Sequence, residues 1–464
     1  MVEGFSRPFS SLGKECIRQL LGMSFLQVSK LPKTSHKNMV RYTMHDLVHD
    51  LATLIMGDEL IDPYISKSNT HVQKYCRYAL ITKYNRSTKL SNILPLKVRA
   101  LHFSDSGELD LACGAFSFAK HLRILDFSGC SSIQLPASLG QLKQLKYLVA
   151  SRMQNECLPE YITELSKLQY LNLNGSSHIS ALPESIGKLG CLKYLDLSGC
   201  SAISKLPESF GSLYELFDAE NNYGYLDFIH TLTNLEHLDL SMNNDLPKYL
   251  PESIGNLKRL HTLNLNYCSG LKSFPESIVE ATGLKSVLLD SNLPPLGQLS
   301  YLESLHLWDL PNVKRIDRGI CGGKGAFPRL KKFTVGFMEG LEEWNTTYYP
   351  GADGVDEFMF PMLDELDVRY CPRLRLNPCP PKCRKWIIIE SDDQVIPSLE
   401  AQTGSHRYNS TPTTNILAIY SECHSFRLFH HFPALQELML SNCPNLTSMP
   451  VGIEQLSSFQ SLEL

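Results

Sequence analysis

The sequence predicts an α/β solenoid, a leucine-rich-repeat horseshoe with a parallel β-sheet on its concave face, preceded by a partial winged-helix unit. Three observations carry that prediction. Leu192, Leu195 and Leu197 spell L-x-x-L-x-L, and the same phrase begins at Leu122, Leu145, Leu168, Leu235, Leu260, Leu284, Leu302, Leu330, Leu363 and Leu435. Intact neighbours lie 23 to 25 residues apart, the period of a repeat built from one strand and one helical or 3₁₀ turn. A second phrase, L-P-x-x-[IFL]-G-x-L, occurs at Leu135-Pro136, Leu182-Pro183, Leu206-Pro207, Leu250-Pro251 and, modified, at Phe274-Pro275. Proline there belongs to a segment outside the sheet, where it removes no ladder hydrogen bond. Finally, Cys130, Cys200, Cys268, Cys371 and Cys443 fall at the ninth position of a repeat, an inward position beside backbone amides that suits Asn or Cys. One unit cannot bury its own leucines, so neighbours stack and share a continuous core.

Residues 1–60 lack the repeat. Cys16, Ile17, Leu20 and Leu21 form a short helical face ending near Gly22, and residues 25–28 are strand-like. A polar loop containing Pro32 leads to a second strand at residues 40–42. Met44, Leu47, Val48, Leu51, Leu54 and Ile55 then mark one face of a helix, with Thr43 and Asp46 as its capping box. Residues 61–97 read as a basic, polar connector ending in a first strand at residues 98–103. The repeat domain spans 98–464, regular to about residue 310 and irregular over 311–434. The turn around residues 216–229 is degenerate, and residues 319–325 and 348–356 read as protruding loops. Residues 386–389 and 416–419 each read as one strand of an irregular repeat, and the last repeat stops without a polar cap.

Composition narrows the function classes. The net charge of −4 makes no whole-chain case for nucleic acid or anionic membrane, and no apolar run approaches the ~18 residues of a membrane span. The first residues lack the basic start and apolar core of a signal peptide. Cysteines spaced a repeat apart read as free buried thiols in a reducing compartment, the cytoplasm or nucleus. The five N-x-[ST] sequons are accordingly expected to be unused.

The stretch Met44-His45-Asp46 within MHDLVHDLA, followed by this array, resembles plant intracellular immune receptors, the NBS-LRR disease-resistance proteins. Gly4-Phe5, LLGMSFLQ at 20–27 and PPLGQLSYLESLHLWDLPNVKRI at 294–316 are similar to the family as well. The resemblance implies that residues 1–60 correspond to the last, winged-helix part of the nucleotide-binding domain. It also implies that Met44, His45 and Asp46 sense bound nucleotide, with the histidine contacting ADP phosphates in a full receptor. A helix N-terminus gives that role a physical reason, through unpaired N–H groups and the positive end of the dipole. The family's phosphate-binding loop, G-x-x-x-x-G-K-[ST], is not in this chain; Gly322-Gly323-Lys324-Gly325 has the wrong spacing. No cofactor is therefore expected here, with ADP or ATP belonging to the full-length family, and the chain reads as the C-terminal piece of a receptor.

Candidate binding residues follow from strand alternation, which sends residues beside the inward leucines to the concave face. Tyr147, Tyr170 and Tyr194 should stand exposed there about 5 Å apart, with Asp126, Asn172, Asp196, Asp239 and Asn264 alongside. A position filled alike in many repeats reads as a stabilising ladder, so recognition is expected where repeats differ. That selects His306, Trp308, Lys332, Glu365, Asp367 and Arg369, with the loops at 319–325 and 348–356. His45-Asp46-Leu47-Val48-His49 is one residue type from the zinc-protease signature H-E-x-x-H, yet it has no third ligand. Cys371, Cys379 and Cys383 lack a second matching pair, so no metal site is expected. The chain is read as a non-enzymatic recognition and regulatory module. Its expected partners are a pathogen effector, a guarded host protein, or the nucleotide-binding domain of a receptor, and no nucleic acid. The alternatives are part of a switch ATPase whose P-loop domain lies elsewhere, or a stand-alone interaction module. A DNA-binding winged helix is disfavoured by seven Lys+Arg against six Asp+Glu over residues 1–60.

Overall fold

Inward aliphatic residues at period two inside a longer repeat force short parallel strands, and a computed structural model of the chain shows them stacked coil upon coil as a parallel-strand solenoid. It describes residues 17–21, 26–29, 41–44, 60–61, 77–84, 89–94, 96–104, 106–210, 232–244, 246, 250–268, 270–271, 274–289, 296, 299–310, 313–316, 327–345, 360–377, 383–391, 414–420, 432, 434–441 and 456–463. The chain divides into two interleaved compact units: Met1–Met153, Tyr161–Asn172 and Leu192–Tyr194 make the first, and Gln154–Glu160, Leu173–Cys191 and Leu195–Leu464 the second.

In the first unit residues 17–21 are helical, and Leu26–Ser29 pairs antiparallel with Arg41–Met44. The expected helix start at Thr43 is corrected here. Thr43 and Met44 face Gln27 and Leu26 in the ribbon, so Met44, read as the first residue of the helix face, ends a strand instead. A parallel ladder then runs through Leu60–Ile61, Tyr78–Thr82, Ala100–Ser104, Ile124–Asp126, Tyr147–Val149 and Tyr170–Asn172. Tyr78–Thr82 lies in the stretch read as a connector and Leu60–Ile61 straddles its start, so the ladder begins ahead of residue 98. Tyr78–Thr82 turns only Ala79 and Ile81 into the core, and with no leucine phrase its coil was illegible.

The second unit carries a ladder through His237–Asp239, Thr262–Leu265, Ser286–Leu289, Ser304–Trp308, Lys332–Gly336, Glu365–Arg369, Lys385–Ile389, Ile416–Tyr420, Glu437–Ser441 and Ser461–Glu463. The irregular strands expected near 386–389 and 416–419 are both present. Every leucine that opens a repeat, from Leu122 to Leu435, is buried.

Away from the ladder, the Leu-Pro phrase becomes a short 3₁₀ helix in each regular coil. Pro136, Pro183, Pro251 and Pro275 precede Ala137–Gln141, Glu184–Lys188, Glu252–Asn256 and Glu276–Glu280. The fixed φ of proline, between −63° and −79° at these sites, sets the chain entering the turn. The glycine of the phrase lets the next coil approach: a Cβ at Gly140 would sit 2.8 Å from the Cβ of Tyr161, and one at Gly255 would collide with the Ser277 carbonyl. Later coils carry a second parallel sheet, Arg315–Ile316, Glu343–Asn345 and Arg375–Asn377, at the place where regular coils make the single bridges Cys157 to Ala181 and Ala181 to Lys205.

The ninth position joins coils. Cys200 Sγ donates to the Leu173 carbonyl at 3.3 Å and Cys268 Sγ to that of Leu240 at 3.1 Å. Asn243 fills the same role with Nδ2 donating to Leu197 O at 2.9 Å and Leu240 O at 2.7 Å.

Candidate functional site

Successive coils of the second unit place side chains in register on the outward face of their ladder. The first outward position reads Ser304, Lys332, Glu365, Lys385; the second His306, Thr334, Asp367, Ile387; the third Trp308, Gly336, Arg369, Ile389. All six residues selected from sequence therefore lie on one face of three adjacent strands, and they touch. The loops at 319–325 and 348–356 lie outside the described residues.

Polar groups on this face are tied together. Lys332 Nζ lies 2.6 Å from Glu365 Oε1, and Lys385 Nζ lies 3.6 Å from Glu365 Oε2. Burial alone would lift the Glu365 carboxyl, but the two lysines outweigh it and hold it below its ordinary range. Arg369 grips Asp367 with both arms, Nε donating to Oδ1 at 2.8 Å and Nη2 to Oδ2 at 2.7 Å. That fork raises the guanidinium further above its usual value and is the strong bidentate form of the ion pair. His306 shares a 2.7 Å hydrogen bond with Ser304 Oγ through Nε2. Burial, then the Lys332 charge, push its pKa down to about 4 against the pull of Asp367 and Glu365. His306 is therefore neutral at pH 7.

Aromatic rings line the end of the same strands. Trp308 leans over Gly336, where a Cβ would come within 2.5 Å of the indole carbons. Its ring centre is 5.4 Å from that of Phe337, which stacks on Tyr370 at 4.5 Å and 18°. The Arg369 guanidinium carbon sits 6.0 Å from the Trp308 ring centre. Phe337 and Tyr370 are both exposed, and sequence reasoning missed them. Each directly follows its strand in the left-handed region, with φ of 54° and 50°, as Asp309 and Glu390 do in neighbouring coils. Left-handed backbone is uncommon for a bulky residue. Here the N–H of each continues the ladder, Phe337 to Arg369 O at 2.9 Å and Tyr370 to Ile389 O at 2.8 Å, while the next residue, Met338 or Cys371, plunges into the core. Aligning Val335-Gly336-Phe337-Met338 with Val368-Arg369-Tyr370-Cys371 is the signal that could have found them.

The repeated residues of the regular coils behave as scaffolding. Tyr147, Tyr170 and Tyr194 stack with ring centres 6.0 and 4.5 Å apart. The expectation of three exposed tyrosines is corrected at Tyr170, which its neighbours cover to 2% exposure. Asp126, Asp196 and Asp239 accept the backbone N–H of Ser128, Ser198 and Ser241 at 2.8 to 2.9 Å, closing the turn after each strand. The buried thiols are inert: burial lifts Cys130, Cys200 and Cys383 to about 12 and Cys371 to about 11. Among the described residues no group of three metal-ligating side chains is present, and no helix is long and apolar enough to cross a membrane.

Family models match two parts of the chain. A model of the disease resistance protein winged-helix domain matches residues 4–52, and one of a leucine-rich repeat region matches 97–216 and 151–245. Similar curated proteins include the disease resistance proteins At1g59780 of Arabidopsis thaliana (26% identical, 72% of this chain, 39% of the relative) and RGA1 of Solanum bulbocastanum (26% identical, 95% of this chain, 46% of the relative).

The chain pairs a disease-resistance winged-helix match with a leucine-rich-repeat match and is similar to plant disease-resistance proteins.

The chain spans less than half the length of these relatives. For the fold alone, the solved leucine-rich-repeat protein LIC12759 of Leptospira interrogans is 18% identical with a TM-score of 0.54, covering 89% of this chain and 98% of that one. Within the segment matched by the winged-helix model, Met44 ends the second strand of the ribbon, while His45 and Asp46 lie outside the described residues.

Proposed function

We propose that this chain is the recognition and restraint half of a plant intracellular immune receptor. Its second-unit face binds a pathogen effector or a guarded host protein. Its winged-helix segment, through Met44, His45 and Asp46, couples the repeats to an ADP/ATP-dependent switch carried by a nucleotide-binding domain. The single observation that supports this reading is the change in the outward face from coil to coil. Regular coils repeat Tyr and Asp to hold themselves together, whereas Ser304–Arg369 presents a non-repeating set of charged, imidazole and indole groups. Trp and Arg are the types enriched in binding hot spots. Restraint of the switch requires only a few kcal/mol of differential contact between its two states. The chain itself acts without catalysis.

The test is co-expression in leaf tissue with the nucleotide-binding fragment of a matched relative. Co-precipitation of the two, and a defence response to a cognate effector lost on Trp308→Ala or His306→Ala, is the expected result. Failure of a folded chain to associate would remove the regulatory half of the proposal. A response indifferent to both substitutions would remove the recognition half from this face.

A further inference from the structure

Depth separates the two signs of charge on the second-unit face. The acids are sunk, with Asp367 and Glu365 side chains 3% and 22% exposed, while Arg369, Lys332 and Lys385 stand out at 38%, 42% and 31%. His306 between them is neutral. A chain of net charge −4 thus offers a locally cationic surface whose counter-ions lie beneath it. Directly beside the cations the face turns apolar, through Ile387 and Ile389 in one strand and Ala418 and Tyr420 in the next. Phe337 and Tyr370 form an exposed aromatic edge along the same strands.

We propose that this surface docks a protein segment in which acidic side chains alternate with aliphatic or aromatic ones. The carboxylates meet Lys332, Lys385 and the outer side of the Arg369 guanidinium, and the apolar side chains lie on Ile387, Ile389 and the Phe337–Tyr370 stack. Charge complementarity selects the occupant. Three cations standing over two sunken carboxylates can meet a few partner carboxylates, whereas a nucleic-acid backbone needs a continuous basic stripe that so small a cluster does not supply. Exposed cations set on-rate and discrimination, and the desolvated rings supply the anchor. The inference rests on the recognition reading above and specifies the chemistry of its partner.

Fluorescence anisotropy on the full chain tests it, using labelled peptides that alternate Glu with Leu or Phe, matched peptides with Gln or Lys in place of Glu, and an oligothymidylate. The Glu peptide should bind about tenfold more tightly than the Gln peptide, a preference that shrinks as salt rises. Lys332→Gln with Lys385→Gln should erase the preference, and Tyr370→Ser should weaken both peptides, each variant melting like the parent. These exposed positions are chosen because Arg369→Gln would strand buried Asp367 and threaten the fold. Lys peptides binding as well as Glu peptides, a preference untouched by the lysine substitutions, or tighter binding of the oligothymidylate each overturns the assignment. No binding by any peptide also overturns it, whereas the recognition reading stands or falls on the leaf response.

Discussion

At His306 burial and the Lys332 charge outweigh two nearby carboxylates, and the sign of that outcome has a consequence for stability. Its pKa of about 4 in the folded chain lies below the ~6.5 of an exposed imidazole. Between those values the unfolded chain holds the extra proton, so stability falls as pH falls, by up to about 3 kcal/mol. Glu365, held below the ordinary carboxylate range by its two lysines, withdraws its own contribution lower on the scale, which leaves the upper part of the window to the histidine. His306→Gln, which can still bond Ser304, should flatten the urea midpoint between pH 6.5 and 4.5 (the span above ordinary carboxylate titration). An unchanged slope would place the buried charge cost elsewhere. The neighbouring glycine is a matter of space. In Gly336→Ala the new methyl meets the Trp308 indole at 2.5 Å, so the ring must lift at a cost of about 1–3 kcal/mol. Indole emission should move to the red, and Trp308→Ala should remove most of the penalty in a double-mutant cycle.

A single coil is held to the next by its ladder and by the donor at its ninth position. Asn243→Ala would remove the amide donor shared by the Leu197 and Leu240 carbonyls, which keep the Cys200 N–H and the Cys268 Sγ respectively, costing about 0.5–1.5 kcal/mol, whereas Asn243→Cys keeps a weaker donor and should cost less. Chemical denaturation of the three proteins ranks them, and equal stabilities would show the amide bonds to be incidental. This device was legible in the sequence, because Cys200, Cys268 and Asn243 sit at one offset from the repeat leucines. That the Leu-Pro segments leave the sheet was legible too, since Pro183 and Pro251 mark where no ladder bond can be donated, but their winding into 3₁₀ turns was not. The aromatic edge was not. Phe337 and Tyr370 occupy left-handed backbone without the glycine that would have announced it, and what holds each there is a ladder bond to the next strand, at Arg369 and Ile389 respectively. The six face residues were found by asking where repeats differ, yet Lys385 and the apolar floor escaped because their coil lacks the leucine phrase.

Within each unit the described residues share a column of aliphatic side chains, and periodicity revealed it wherever leucine supplies the column. It failed ahead of residue 98, where Ala79 and Ile81 fill the core in place of leucines. A stack of this kind transmits damage mainly to neighbours, which yields a spatially resolved prediction. Leu265 is fully buried between the strands opened by His237 and Ser286. An aspartate there must either be desolvated or stay neutral at several kcal/mol, so Leu265→Asp should lower the melting temperature and open the adjacent coils first. Pulsed proteolysis followed by mass spectrometry should place the earliest new cuts on either side of residue 265. Leu101→Asp, in the other unit, should place them around Ala100–Ser104 instead. Were both substitutions to leave melting unchanged, or to produce one common cleavage pattern, the column could not be the element that holds successive coils together.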